Sequence, residues 1–411
     1  MMSLEQAIAV LDARKRRGMT FGTDRLRAVL DRAGWQPDRV KWIHVAGTNG
    51  KGSVCRMTAS VLQAAGCRVG LFTSPTTGDL LDDVSVNGVS IASDAFAACI
   101  ERLVAHEQDD ALSYFEMETG AALLYFSERA EYAVIECGLG GKDDATNVIP
   151  APTVAVLTTI SADHTDILGN SIADIARHKC GIAKPPCVVV TSPNQHEVAL
   201  EVILRHAALH NLTVQMPSIP TITEQTAHTL TMKAGGETYR LAVGGTFQAD
   251  NAMLAVQVAR ILRVDSDAIA QGLTNATFPC RQEWISDHPV RLIDGGHNPQ
   301  GVAALADSLR AWGVAPATAV IGMLADKDVD QAVHLLAPHL KTAVCCTPPN
   351  PRAMMANALA KKFEQAGVPT VVVDDPVNAW QRGEEIAGDS PLVVAGSFYL
   401  CAAIRPHLLK K

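Results

Sequence analysis

Residues 44–56 read HVAGTNGKGSVCR. Three glycines, a lysine and a serine follow a β-branched apolar run. After them, Val54, Met57, Val61, Leu62 and Ala65 recur at helical spacing. That context suits a phosphate-binding loop. Glycines let successive backbone N–H groups turn toward one anion, and the helix N-terminus adds a partial positive charge. The spelling departs from G-x-x-x-x-G-K-[ST]: Val45 and Gly52 stand where that pattern has Gly and a hydroxyl, which arrives one place later at Ser53. Lys51 can reach the β- and γ-phosphates, and Ser53 can face a Mg²⁺ ion. An ordinary strand-to-helix turn would not call for three glycines in six residues.

Other positions carry chemistry less distinctly. Glu136 ends an apolar strand just before Gly138-Leu139-Gly140-Gly141. A carboxylate at the C-terminal tip of a parallel strand faces the crevice where ligands bind, and hard oxygens suit Mg²⁺. Position alone leaves a merely exposed acid equally open. His164, in ADHTD, reads by itself as a solvated loop histidine. Lys179 shares a helical pattern with Ile175, Ala176 and Ile182, which turns it partly inward. A buried lysine is costly unless paired or chemically altered, and spacing alone favours an ordinary helix-face lysine. Ser74, in TSP, reads alone as a cap before Pro75. The segment DGGHNP (294–299) follows a strand and precedes a helix, which fits either a crevice or simple turn chemistry.

The elements that must position these groups follow from periodicity. From residue 40, short apolar runs at 41–46, 69–73, 132–137, 153–159 and 187–191 alternate with helical patterns at 53–65, 115–129 and 171–183. This is the signature of βαβ units on a parallel sheet. Glycines and prolines break the rhythm and predict a small antiparallel appendage at about 212–247. After helices near 249–263 and 266–273, strands at 290–294, 317–322, 341–346, 368–373 and 391–396 predict a second, smaller doubly wound unit. The expected division is 1–284 and 285–411, with the seam in CRQEWISDHP (280–289).

The chain has 411 residues, 48% hydrophobic and 19% charged, with a formal net charge of -8. A nucleic-acid partner normally needs a basic face, so none is expected. The ten cysteines form no C-x-x-C pair, which argues against structural zinc. The N-terminal charges follow the apolar residues, the wrong order for a secretory signal, and no apolar run approaches a membrane span. A cytoplasmic protein with no membrane partner is expected.

The string AGTNGKGS resembles the ATP loop of the Mur ligase superfamily, in particular its folylpolyglutamate synthase/dihydrofolate synthase branch. So do SYFEMETGAALLYF (113–126), VIECGLGGKDDATNV (134–148), ISADHTDILGNSIADIARHKCGIAKP (160–185), LIDGGHNPQG (292–301), IGMLADKDV (321–329) and VVAGSFYL (393–400), in that order. The resemblance spans roughly residues 20–405. It implies an α/β fold: a P-loop ATPase domain with a parallel sheet, and a smaller Rossmann-like C-terminal domain. It implies ATP at Gly47, Thr48, Asn49, Gly50, Lys51, Gly52 and Ser53, with Asn251, Arg281, Asp294, His297 and Asn298 around adenine, ribose and phosphates. It further implies two Mg²⁺ ions held by Ser74, Glu136, His164 and a Lys179 carbamylated by CO₂. Asp144 matches an aspartate near the pterin ring. Lys51, Glu136, His164 and Lys179 would carry the chemistry, and the roles of Lys327 and Arg352 stay open.

The implied reaction joins L-glutamate to dihydropteroate or a folate. A substrate carboxylate attacks the γ-phosphorus of ATP, and an amine displaces phosphate from the acyl phosphate. The protein would act as a monomer. Departures lie between Ser74 and Gly88, where Thr76-Thr77 replaces His-Leu and Asp82-Asp83 replaces Glu-Arg. His178 stands where the family usually has Glu, and Cys280 replaces a glycine. The departures spare every phosphate and metal position and leave a second reading, a ligase of the same chemistry acting on a non-folate acid. A P-loop binding protein without ligase activity would not need Glu136, His164 and Lys179.

Overall fold

The fold, given by a computed structural model, describes residues 2–15, 18, 20–108 and 111–409. The first sheet contains Lys41–Ala46 (β1), Val69–Phe72 (β2), Val84–Val86 (β3), Val89–Ser90 (β4), Tyr132–Glu136 (β5), Val154–Leu157 (β6), Val188–Thr191 (β7) and Thr213–Gln215 (β8). Its order is β4-β3-β2-β5-β1-β6-β7-β8. The pairs from β2 to β8 are parallel, and only the β2-β3-β4 edge is antiparallel. Because the chain leaves β1 first toward β2 and later returns on its other side to β6, the sheet reverses direction at β1. Ligand sites in such sheets lie outside the strand C-termini at that reversal.

Both faces of the sheet are covered, which is why its strands read as unbroken apolar runs. Ile43, Val45, Val134 and Val156 pack with Val54 and Leu62 of the helix Lys51–Ala64. On the other face, Ala133 and Ile135 lie under helices Leu4–Lys15, Ser93–His106 and Tyr114–Arg129. The last of these opens with a capping box between Ser113 and Glu116. Ala155, Leu157 and Val189 lie under Ile172–Cys180 and Glu197–Leu209.

Thr221–Gln225 (β9), Leu230–Ala234 (β10) and Glu237–Leu241 (β11) form an antiparallel three-stranded sheet. This is narrower than the expected appendage, because Thr213–Gln215 extends the main sheet in parallel instead. The helix before it makes a complete βαβ crossover, so the β-branched Thr213 and Val214 continue the parallel order.

The third sheet holds Glu283–Asp287 (β12), Val290–Asp294 (β13), Ala317–Ile321 (β14), Leu340–Cys345 (β15), Thr370–Val372 (β16) and Leu392–Ala395 (β17), in the order β12-β13-β17-β14-β15-β16. All neighbours are parallel except β12-β13. Leu292, Ala319, Ala343 and Val393 face one helical layer, and their neighbours Ile293, Val320, Val344 and Val394 face the other. That period-two split is the signature of a doubly wound sheet. The antiparallel β12 lies inside the expected seam segment, whose mixed polar sequence gave no strand signal. Among the described residues, no helix is long and apolar enough to cross a membrane, and all ten cysteines are free thiols.

Candidate active site

The chain leaves β1 through Gly47, where a Cβ would lie 1.8 Å from Thr158 Oγ1. Only glycine fits there. The loop is then sewn to the segment after β6: Thr48 N donates to Thr159 O (2.8 Å), and Thr48 Oγ1 donates to Ser161 O (3.0 Å). Gly50, at φ +89°, closes the turn. The helix begins at Lys51, two residues before the periodicity suggested. Gly52 and Ser53 therefore sit in its first turn, whose N–H groups have no intrahelical partner. Lys51 Nζ folds back onto Thr48 O at 3.1 Å.

Glu136, at the tip of β5, is buried and accepts Ser74 N at 3.3 Å. A Cβ on Gly52 would lie 3.1 Å from Glu136 Oε2 and 2.0 Å from Arg281 Nη2, so loop, carboxylate and guanidinium meet at one point. Burial raises the Glu136 carboxyl, while Arg281 and Lys51 oppose that rise. Arg281 stacks 4.7 Å above the Phe398 ring. It is flanked by Cys280 at φ +56° and Gln282 at φ +50°, left-handed conformations that cost a side-chain-bearing residue energy. The cysteine thus occupies a backbone conformation that suits the glycine it replaces.

Lys179 Nζ donates to Gly47 O at 2.6 Å from a buried position. Burial first, and then Lys51, lowers its pKa to about 7. His164, at φ +52°, caps a short helix. Burial and Lys327 lower its pKa to about 4, so the imidazole is neutral at physiological pH with a lone pair to offer. Beside it, Asp163 bonds Lys327 Nζ at 2.6 Å. Burial raises the Asp163 carboxyl, but Lys327 and His164 outweigh it and hold the group well below the usual range.

The C-terminal sheet contributes from the ends of β13 and β14. Asp294 accepts Gln282 N and Gly296 N, each at 2.8 Å, and burial raises its pKa to about 6. His297 Nδ1 donates to Gly295 O at 3.0 Å. Asn298 caps the helix Pro299–Ala311 and donates to Asn49 Oδ1 at 3.0 Å. Asn49 in turn donates to Gln300 Oε1 at 2.7 Å. Asn251 is buried against Gly50.

Asp144 stands apart. Its two oxygens accept Leu139 N (2.7 Å) and Thr146 N (3.0 Å), so it staples the loop after β5. The other predicted positions converge on the strand ends around the phosphate loop. Several participants gave no sequence signal, among them Asp163, Gln300, Thr158 and Gln248. Arg56 had one: it lies four residues after Gly52, on the same helix face. Its Nη2 donates to Thr73 Oγ1 at 3.3 Å, and it faces Arg281, Glu136 and Asp83.

Two further features bear on ligands. Thr158 Oγ1 and Gln248 Nε2, beside Gly47 and Asn251, are buried without a partner among the described residues. Also among them, no cluster of three or more His, Cys, Asp or Glu side chains could hold a metal alone. Mg²⁺ commonly takes one or two carboxylates and completes its shell with substrate phosphates, so this mixed donor set suits a metal shared with a nucleotide.

The middle-domain profile of Mur ligases matches residues 45–259, more than half the chain. The chain belongs to the Mur ligase family. The Mur ligase glutamate-ligase domain matches residues 280–398. Among Mur ligase relatives, the dihydrofolate synthase/folylpolyglutamate synthase of Bacillus subtilis is 32% identical over 98% of this chain and 99% of its own. The structure of E. coli FolC in complex with DHPP and ADP superposes with a TM-score of 0.87 at 28% identity, covering 99% of this chain and 97% of that one. A bifunctional folylpolyglutamate synthase/dihydrofolate synthase with Mn, AMPPNP and L-glutamate bound gives 0.84 at 28% identity, covering 98% of each.

Proposed function

We propose that this Mur ligase uses ATP to join L-glutamate to dihydropteroate or to a folate, through an acyl phosphate. The observation that carries this reading is the meeting of Gly52, Glu136 and Arg281 at one point on the phosphate loop, with Lys51 beside them. Two anions, a carboxylate and a triphosphate, must approach each other, and preorganised cations in a buried site offset their repulsion. Lys51, Arg281 and the first-turn N–H groups cradle the phosphates. Asn251 borders the nucleotide, as do Asp294, His297 and Asn298 from the other side. Thr158 and Gln248 supply hydroxyl and amide groups that still lack partners.

Ser74, Glu136, neutral His164 and Lys179 would hold two Mg²⁺ ions, which when bound screen the phosphate charge. Lys179 fits carbamylation: a pKa near 7 leaves much of the amine free to add to CO₂ with loss of a proton. Asp144, whose oxygens already accept Leu139 N, Thr146 N and the Thr146 hydroxyl, would shape the loop beside the acceptor and not bond it alone. Residues 1–284 form the nucleotide-holding unit, and 285–411 close over it to keep water from the acyl phosphate. The protein works as a cytoplasmic monomer. ATP-dependent phosphate release with dihydropteroate plus glutamate, set against a panel of other acids, tests the reading. Turnover with the other acids alone would sink the folate assignment.

A further inference from the structure

Arg56 lies one turn beyond Gly52 and reaches the junction between the phosphate loop and the segment Ser74–Asp83. Its Nη2 donates to Thr73 Oγ1 at 3.3 Å, and the next residue, Ser74, gives its N–H to Glu136. A guanidinium carries five N–H donors. Among the described residues, Thr73 takes the one hydrogen bond that Arg56 makes. Arg281 faces it from the loop side, so two guanidiniums meet beside the carboxylate of Glu136. Asp83, on the far side, accepts the Thr76 hydroxyl and attracts Arg56 through space, with no direct ion pair between them among the described residues. The segment SPTTGDLLDD (74–83) contains no lysine or arginine. Two like charges held together with spare donors, flanked by Glu136 and by an Asp83 whose carboxyl burial pushes toward its neutral form, are a site that can take a further anion.

Resting on the ligase reading above, we propose that Arg56 receives the acceptor's carboxylate and holds it for attack on the γ-phosphorus. Lys51 and Arg281 take the triphosphate, which leaves the Arg56 fork for the second anion. Planar guanidinium and carboxylate match in a bidentate pair that lysine cannot reproduce. In the step it serves, a carboxylate oxygen forms a bond to the γ-phosphorus. The bond from that phosphorus to the bridging oxygen breaks, and ADP leaves with the electron pair. Arg56 neither gives nor takes a proton. Asp83, held by Thr76, walls the acceptor side behind it.

The test measures acceptor affinity and nucleotide affinity separately. Dihydropteroate binding to the ADP-loaded protein and ADP binding alone are followed by calorimetry, beside steady-state kinetics, for wild type, Arg56→Gln and Arg56→Lys. Arg56→Gln is expected to weaken dihydropteroate binding and raise its KM at least ~10-fold, with ADP affinity within about twofold of wild type. Arg56→Lys should fall between, keeping charge but losing the fork. Unchanged acceptor affinity in Arg56→Gln overturns the inference, as does a parallel loss of ADP affinity. Variants that unfold would place Arg56 in the fold and overturn it too. A wild type that binds dihydropteroate but does not turn it over defeats the ligase reading alone. A wild type that binds no dihydropteroate defeats both.

Discussion

At the residue scale the site is governed by burial acting on ionisable groups. Lys179 sits where an ammonium is hard to keep, and the proposed carbamate turns that cost into a ligand. Lys179→Ala is therefore expected to fold, bind ADP and lose about 10²–10³ in kcat, read by phosphate release. Glu118 offers a test of pH. Burial lifts its pKa to about 7, against the opposing pull of Tyr114 and Lys15. The folded state thus holds its proton more tightly than the unfolded chain, whose pKa is near the ordinary glutamate value of 4.5. Wild-type stability from this group is complete below about pH 4.5 and is lost as pH rises toward 7. Glu118→Gln, which cannot ionise, should match wild type at pH 4.5 and exceed it above pH 7. The gain should be on the order of 1–3 kcal/mol by denaturant titration. A difference that does not change with pH would exclude this account.

At the scale of elements, the phosphate loop depends on one close approach. Gly47→Ala places a methyl against Thr158 and must push β1 from the β6 loop or rotate the hydroxyl away. ADP affinity should fall at least ~10-fold by calorimetry, with secondary structure by circular dichroism unchanged. The departing segment Thr76–Asp83 has a different place from the loop itself. Cys280 Sγ donates to Thr77 O at 3.7 Å, and a Cβ on Gly78 would lie 3.8 Å from Arg405 Nη1. One end touches the second unit, while Asp83 turns inward toward Arg56 and Glu118. Its sequence change thus bears on how the units meet as well as on the acceptor.

At the scale of the molecule, the loops of the first and third sheets are joined by polar contacts. Lys327 pairs with Asp163, and Asn298 and Gln300 reach Asn49. Lys327 and Asp163 are 5% and 11% exposed, so neither charge is well solvated while paired. Losing one partner leaves the other charge uncompensated, a change that typically costs several kcal/mol in place. Lys327→Gln should favour separation of the units. Solution scattering is expected to give a larger radius of gyration, and KM for glutamate should rise. An unchanged scattering profile would remove the pair's role in closure.

Much of this was legible without coordinates. The strand, tight glycine turn and helix around Lys51 and Ser53 were legible, and the phosphate loop proposed there rests on local properties, backbone freedom and helix-end charge. The βαβ alternation follows because strands buried on both faces must be apolar throughout. The edge strand β8 and the antiparallel β12 were not legible, because short polar segments become strands only when a neighbour offers a ladder. Nor could spacing show that Lys179 would bond Gly47, that Asp163 would meet Lys327, or that Arg56 would face Arg281. Those pairs are separated by at least 130 residues of chain in each case. Local sequence sets which groups exist and how each turn bends; only the packing of two sheets decides which charges share a low-dielectric space, and that sharing sets their chemistry.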